Sequence, residues 1–404
     1  MPNPYGAIFQ APGAKGFAAA GFLARLPVAM ATMGIVTMLS QSHGEYWLAG
    51  AVSATFALTN AFAAPQISRL VDRYGQSRIL TPATAISVAA FTALLLATHF
   101  RWPYWTLFLS AFLAGAMPSM PAMVRARWTG LYHGTPKLHT AFAFESVLDE
   151  VVYMAGSVLA IGLSVSLFPE AGPLAATLFL AVGTALFVAQ KSTEPPVQPA
   201  TEAKASRSAL GVPAVQILTF TLIAVGTIFG TAEVTVIAFS EELGQKGAAS
   251  FVLAGYAGGS LVVGLVFGTL TLKASLGRQF LIANAVAMLT TLPLLWVNGI
   301  PLLALMLFLA GASISPTFIT AFGLIERLVP SSQLTEGITW AMTGIFIGMA
   351  VGSFISGYVI DAFGAQSGFW VSVAAGGIAF ATALLGQRIL GRPAPEAIPE
   401  AAAA

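Results

Sequence analysis

Apolar stretches long enough to cross a bilayer recur along the chain, separated by short polar turns. They run over residues 17–40, 48–67, 79–97, 105–124, 141–167 and 173–189, then over 212–239, 251–270, 280–295, 301–324, 337–360 and 369–390. A hydrocarbon core about 30 Å thick takes roughly 20 apolar residues of helix. A backbone inside it must satisfy its own hydrogen bonds, which a helix does. The pattern therefore predicts an all-α integral membrane protein with twelve transmembrane helices. The break between the two sets, residues 190–211 (QKSTEPPVQPATEAKASRSALG), is polar and Pro-rich and reads as a flexible linker. It divides the chain into residues 1–189 and 212–392, with six spans each. Residues 393–404 carry no apolar face and read as a disordered tail.

The two sets resemble one another. FLAGA occurs at residues 112–116 and again at 308–312, an offset of 196. The same offset joins Gly156-Ser157 to Gly352-Ser353 and Gly34 to Gly230. Each FLAGA helix then meets proline, Pro118 and Pro121 in one half and Pro316 in the other. Duplication of a six-helix unit explains these matches. Repeated halves with a substrate site between them mark secondary transporters. Proline removes a helix hydrogen bond, so Pro118 and Pro121 predict a bend in the fourth span.

Composition sharpens the class. Only 8% of the 404 residues are charged and 57% are hydrophobic, with a mean hydropathy of +0.82. Soluble domains carry about 25% charged residues. The net charge of +2 is small and its cations are dispersed, so no nucleic-acid partner is expected. The chain has no cysteine, which excludes disulfide and thiolate chemistry. With the N-terminus in the cytoplasm, fifteen Lys and Arg residues, Arg125 and Arg127 among them, fall on the cytoplasmic side, against Arg101 and Lys246 outside. The positive-inside rule therefore places both termini and the linker in the cytoplasm.

The loop after the second span reads SRLVDRYGQSR over residues 68–78. Asp72 suits capping of a neighbouring helix end, Arg73 suits the headgroup boundary, and Gly75 permits a tight turn. This loop is similar to the cytoplasmic signature of the major facilitator superfamily, in which a glycine is followed by Asp-Arg-x-Gly and basic residues. Leu70, Asp72, Arg73 and Gly75 match; Ser68 replaces the opening glycine, and the basic position is Arg78. The resemblance extends over the whole chain in span count, linker and duplication. It implies the superfamily fold of two pseudo-symmetric halves, alternating access, and a latch at this loop when the cavity faces outward. RLP at residues 25–27 and FESVLDE at 144–150 resemble bacterial members described as drug or metabolite exporters. That implies a bacterial cytoplasmic membrane. Departures stand beside it: Ala111 occupies the position of the fourth-span arginine of many proton-coupled members, and Ser157 follows Gly156 where antiporters carry Gly-Pro.

Ionisable groups within spans are costly and mark functional sites. Arg25 lies eight residues into the first span and Asp149 eight residues into the fifth, each ~12 Å deep at 1.5 Å per residue. Glu145 is one turn shallower on the same face as Asp149, and Glu150 points about 100° away. An Arg25–Asp149/Glu145 contact is the expected site. Three readings of it stand. Asp149 or Glu145 carries a proton whose affinity Arg25 switches, Arg25 binds an anionic cargo, or the ions fix helix packing alone. Glu233, near the outer end of the seventh span, is an outer gate, a second protonation site or an interfacial anchor. His43, His133 and His139 fall in loops and are expected to be solvated. Met30, Met33, Met117 and Met120, with Asn60 and Trp340, are candidates to line a cavity, methionine being adaptable to varied apolar cargo.

The reading is a monomeric secondary active transporter, moving a small lipophilic organic compound outward in exchange for protons. No cofactor is needed beyond the proton gradient. A proton-coupled importer or an organic-anion carrier using Arg25 is the alternative within transport. A membrane enzyme or sensor is the alternative from another class. The chain lacks HExxH, a partnered GxSxG, a Walker A loop and a soluble output domain.

Overall fold

Proline and glycine decide where this helical bundle is continuous and where it breaks. In the computed structural model, which describes residues 4–43, 46–197, 208–245, 248–270 and 272–391, the first half holds α1 (Ala14–His43), α2 (Tyr46–Tyr74), α3 (Gln76–His99), α5 (Pro136–Ser166) and α6 (Ala171–Ala189). Its fourth span is two pieces, α4a (Tyr104–Ala114) and α4b (Met120–Tyr132). The second half holds α7 (Pro213–Glu242), α8 (Ala248–Phe267), α9 (Leu276–Thr291), a broken tenth span of α10a (Ile300–Gly311) and α10b (Ile314–Leu328), α11 (Leu334–Phe363) and α12 (Phe369–Leu385). Among the described residues ten helices are long and apolar enough to cross a membrane, and Tyr104–Ala114 and Phe251–Phe267 are shorter apolar ones. Together they are consistent with the expected twelve. The expected disordered tail and residues 198–207 of the linker lie outside the described residues.

The expected bend in the fourth span is a full interruption. Pro118 has no N–H to donate and Pro121 sits in the first turn of α4b, a position that needs no donor. The carbonyls freed by the gap find Asn60 of α2. Its amide donates to Gly115 O at 3.1 Å and to Met117 O at 2.9 Å. The second FLAGA helix breaks at the equivalent place, where α10a gives way to α10b.

The packing repeats between halves. α1 lies on α5 and α6 as α7 lies on α11 and α12, and α3 lies on α6 as α9 lies on α12. In the second half glycines bring α7 and α11 together backbone to backbone. A Cβ at Gly348 would lie 2.0 Å from Ile223 O, and one at Gly230 would lie 2.0 Å from Met349 O. Small residues allow such approach where lipid gives no hydrophobic drive to helix association. Large apolar side chains such as Phe62, Phe251, Phe354 and Leu385 project outward, as a lipid-facing surface requires.

Residues 190–197 run beneath the first half. Arg127 donates to Gln190 O at 2.8 Å and to Thr193 Oγ1 at 2.9 Å, and the Ser77 N–H donates to Glu194 at 2.7 Å. This end of the bundle, where α1 starts and α2 finishes, is the linker end. Contacts between the halves gather there. The Tyr5 hydroxyl donates to Leu265 O at 2.7 Å, Thr140 donates to Gly268 O at 2.9 Å, and His133 pairs with Glu326 at 2.5 Å. His139 lies on α5 rather than in a loop, its ring nitrogen 3.0 Å from Phe267 O.

Gly348→Ala forces a methyl group into the Ile223 carbonyl, and overpacking of this kind costs about 1–3 kcal/mol. Its thermal unfolding midpoint in detergent is expected to fall. Gly377→Ala, where a Cβ meets nothing within 4 Å, is expected to leave the midpoint unchanged.

Candidate functional site

Arg25 projects from α1 into the packing against α5 and is 0% exposed. Its Nη1 donates to Asp149 Oδ1 at 2.9 Å, its Nη2 pairs with Glu145, and its Nε donates to Gly21 O at 3.3 Å. Glu145 and Asp149 are one turn apart on α5, so one guanidinium reaches both. Glu145 is fully buried. The Trp128 indole donates to its other oxygen at 2.7 Å, and Phe9 and Phe17 pack edge-on against that indole.

A second cation completes the site. Arg125 on α4b is also 0% exposed. Its Nη2 donates to Asp149 Oδ2 at 2.6 Å, and its guanidinium lies 4.2 Å from the Phe322 ring centre. Two arginines and two carboxylates thus form a neutral quartet. Asp149 bridges both cations, one oxygen to each, and its side chain keeps 14% exposure while the others keep none or nearly none. Removing the charge of Asp149 would leave Arg125 without a carboxylate and Arg25 with Glu145 alone.

Reading the sequence assigned Arg125 and Arg127 to the cytoplasmic surface because the fourth span was ended at 124. The interruption at 115–119 carries the span on to Tyr132, which draws both arginines inside. Arg127 is held by Gln76 Oε1 at 2.8 Å and stacks 3.8 Å from the Phe187 ring centre. The signal was present: Arg125 and Trp128 are three apart on one helix, and so share a face.

The loop at 68–78 makes the other constellation. Asp72 accepts the N–H groups of Glu336 at 2.9 Å and Thr335 at 3.2 Å. These are orphan donors in the first turn of α11, so α2 caps a helix of the opposite half. Ser68 and Thr339 share a hydrogen bond of 2.7 Å one turn away. Gly75 has φ +94°, a left-handed conformation that favours glycine. Arg73 is exposed, its guanidinium 5.1 Å from the Tyr74 ring centre, and Arg78 is exposed.

The profile of the Major Facilitator Superfamily matches residues 17–244 and 217–403. The chain belongs to this superfamily. Solved structures carry the same fold: a bacterial homologue of the iron transporter ferroportin in outward-facing state (TM-score 0.73, 15% identity, 93% of this chain and 99% of that one). The E. coli fucose:proton symporter FucP follows (TM-score 0.68, 14%, 91% and 98%), as does the human organic anion transporter MFSD10 (TM-score 0.67, 15%, 93% and 100%). At these identities the likeness is one of fold. No curated protein matches the chain significantly. As a superfamily member the protein is a transporter and not an enzyme.

The remaining site candidates of this transporter lie apart from the quartet. Glu150 accepts from the Ser260 hydroxyl of α8 at 3.0 Å. Glu233 is exposed on α7. Met33 is 46% exposed, but Met30, Met117 and Met120 are enclosed in the packing at 2% or less, which corrects their placement on a cavity. Their flexible side chains fill gaps beside small residues of α1, α4a, α4b and α5. Asn60 ties α2 to the broken span, as described above. Trp340 is half-buried and donates to Glu336 at 3.3 Å, beside the end of α11 that Asp72 caps.

Two outcomes follow. Arg125→Ala leaves Glu145 and Asp149 sharing Arg25 alone, one negative charge uncompensated, and breaking a buried pair from one side costs about 3–5 kcal/mol. Its unfolding midpoint is expected to drop, and Arg125→Ala/Asp149→Ala, which restores neutrality, is expected to recover part of the loss. Asp72→Ala removes a cap worth about 0.5–2 kcal/mol, a shift of roughly 2- to 30-fold in the closed-to-open ratio of the linker end. Spin labels at Thr81→Cys and Arg278→Cys, introduced into this cysteine-free chain, are expected to gain a longer-distance population.

Proposed function

We propose that this transporter is a proton-coupled exporter that exchanges a small lipophilic organic compound for protons by alternating access. The observation that carries the reading is the bridging position of Asp149, which alone in the neutral quartet keeps access to solvent. A proton delivered to Asp149 breaks its links to both arginines at once. Arg125 then has no carboxylate, and a buried bare cation destabilises the packing of α4b, α5 and α10b around it. Loss of the proton restores the quartet. Protonation and packing are thereby tied to one atom group, which is what coupling requires.

The linker end is read as cytoplasmic. With Arg125 and Arg127 buried, thirteen of the fifteen cations remain on that side against two on the other, and the positive-inside rule still favours it. On this reading the Asp72 latch is closed and the transporter faces outward in a bacterial cytoplasmic membrane. Both transport halves lie in one chain, so a monomer suffices, and the proton gradient is the only driving agent required. An organic-anion carrier using Arg25 is less well supported, because each guanidinium nitrogen of Arg25 is already engaged and the residue is 0% exposed.

Everted vesicles, made acidic inside and read with a pH-sensitive dye, test the proposal against lipophilic cations, neutral drugs, organic anions and sugars. Compound-dependent proton release is expected in wild type and is expected to vanish in Asp149→Asn. Equal release in Asp149→Asn would remove Asp149 as the coupling group.

A further inference from the structure

The duplicated plan gives the Asp72 contact a counterpart in the other pair of helices. The 196-residue offset carries Asp72 to Gly268, and Thr335 and Glu336 to His139 and Thr140. At the α2–α11 corner the Asp72 carboxylate accepts two N–H groups of α11. At the α5–α8 corner Gly268 brings no carboxylate. There the Thr140 hydroxyl donates to Gly268 O at 2.9 Å, and the His139 ring lies 3.0 Å from Phe267 O. The chain cannot place an acid at that position. A Cβ at Gly268 would lie 2.3 Å from Ala143 Cβ and 2.6 Å from the Tyr5 hydroxyl.

Beside this corner lies a cleft of about 580 Å³, within the size range of small-ligand sites, roughly 300–1,000 Å³. Its walls come from both halves: Lys137, His139 and Thr140 of α5 face Gly268, Gln279 of α9 and Arg327 of α10b. Two cations line it and no carboxylate does. Among the described residues the acids of this end are engaged elsewhere. Glu326 pairs with His133, Asp72 holds α11, Glu194 takes Ser77, and Glu336 takes Ser208 and Trp340. α5 starts without a side-chain cap. Lys137, in its first turn, therefore meets the positive end of the helix dipole, an unfavourable placement unless an anion lies near.

A buried acceptor faces the same space. Gln279 is 9% exposed and lines the cleft. Its Nε2 donates to Ala274 O at 2.6 Å, which fixes the amide, because a carbonyl only accepts. Its Oε1 is buried without a partner, and such an acceptor calls for a donor. One ligand with a negative charge and a hydroxyl satisfies both demands. Leu270 and Leu272 also line the cleft and are 44% and 47% exposed, apolar surface that suits acyl chains.

We propose that this cleft binds an anionic phospholipid with a hydroxylated headgroup, and that the lipid staples the halves closed at the linker end. The phosphate meets Lys137 and Arg327, and a headgroup hydroxyl donates to Gln279 Oε1. The lipid thus supplies at the α5–α8 corner the negative charge that Asp72 supplies at the α2–α11 corner. Opening this end parts the walls of the site, so a ligand that needs both walls favours the closed form. The staple depends on neither the cargo nor the proton coupling.

Native mass spectrometry of the purified full chain in detergent counts bound lipid. Wild type is expected to retain phosphatidylglycerol in preference to phosphatidylcholine. It is also expected to prefer it to phosphatidylethanol, which keeps the phosphodiester and lacks the hydroxyl. Lys137→Gln and Arg327→Gln are each expected to weaken phosphatidylglycerol binding about fivefold. Gln279→Leu is expected to erase only the preference over phosphatidylethanol. Lys273→Gln and Arg278→Gln remove exposed cations that do not line the cleft, and are expected to bind like wild type. Equal losses in those two, or undiminished binding by Lys137→Gln/Arg327→Gln, would overturn the site. Displacement of the lipid by millimolar glycerol phosphate would make the ligand a soluble phosphate and overturn its membrane source. In liposomes, spin labels at Thr81→Cys and Arg388→Cys, in an Asp72→Ala background, report the linker end. Phosphatidylglycerol is expected to raise the short-distance population over phosphatidylcholine, and to do so no longer in Lys137→Gln/Arg327→Gln. Equal populations in the two lipids would overturn the staple.

Discussion

Two arginines buried on separate helices set the terms for the first half of this transporter. A guanidinium cannot give up its proton in a protein, so Arg25 and Arg125 must be met by carboxylates wherever the packing takes them. α5 meets both with Glu145 and Asp149, and Asp149 alone joins the two. The positions of α1, α4b and α5 are therefore mutually dependent. Shifting any one separates opposite charges where little water can compensate. Ionisation of one side chain is thereby given leverage over three helices.

The broken fourth span is the condition for that arrangement. A continuous helix would not free the carbonyls of Gly115 and Met117 for Asn60, nor end where α4b does. The restart at Met120 sets the phase at which Arg125 and Trp128 face α5. The same helix turns Arg127 the other way, onto Phe187 and the first residues after α6. One interruption thus connects the ionic site with the segment that joins the halves.

Much of this was legible in the sequence. Apolar periodicity and the 196-residue offset gave the spans and the two-half plan, because lipid imposes one length and one secondary structure on any crossing segment. Arg25, Glu145 and Asp149 were legible because charge within an apolar run has few explanations, and Asp72 because its loop resembles the superfamily signature and a carboxylate there suits a neighbouring helix end; that this end belongs to the other half was not legible. Arg125 was hidden by an assumption of continuity: a span that pauses for five residues reaches further than its apolar run suggests. Met30, Met117 and Met120 were misplaced because an adaptable side chain suits a core gap as well as a cavity. Glu336 and Ser260 gave no signal, since their roles exist only once the halves meet.

The two halves share a plan but not a chemistry. Applying the 196-residue offset to Arg25, Arg125, Glu145 and Asp149 lands on Thr221, Ala321, Ala341 and Ile345, all buried at 6% or less. Where the first half holds α1 to α5 with ions, the second holds α7 to α11 with glycine laid on carbonyl. The first set is made by long charged side chains and the second by backbone laid against backbone. Equivalent positions of the two copies are therefore not interchangeable: a side chain added at the α7–α11 crossing has no room, and a charge removed at the α1–α5 crossing leaves its partner behind.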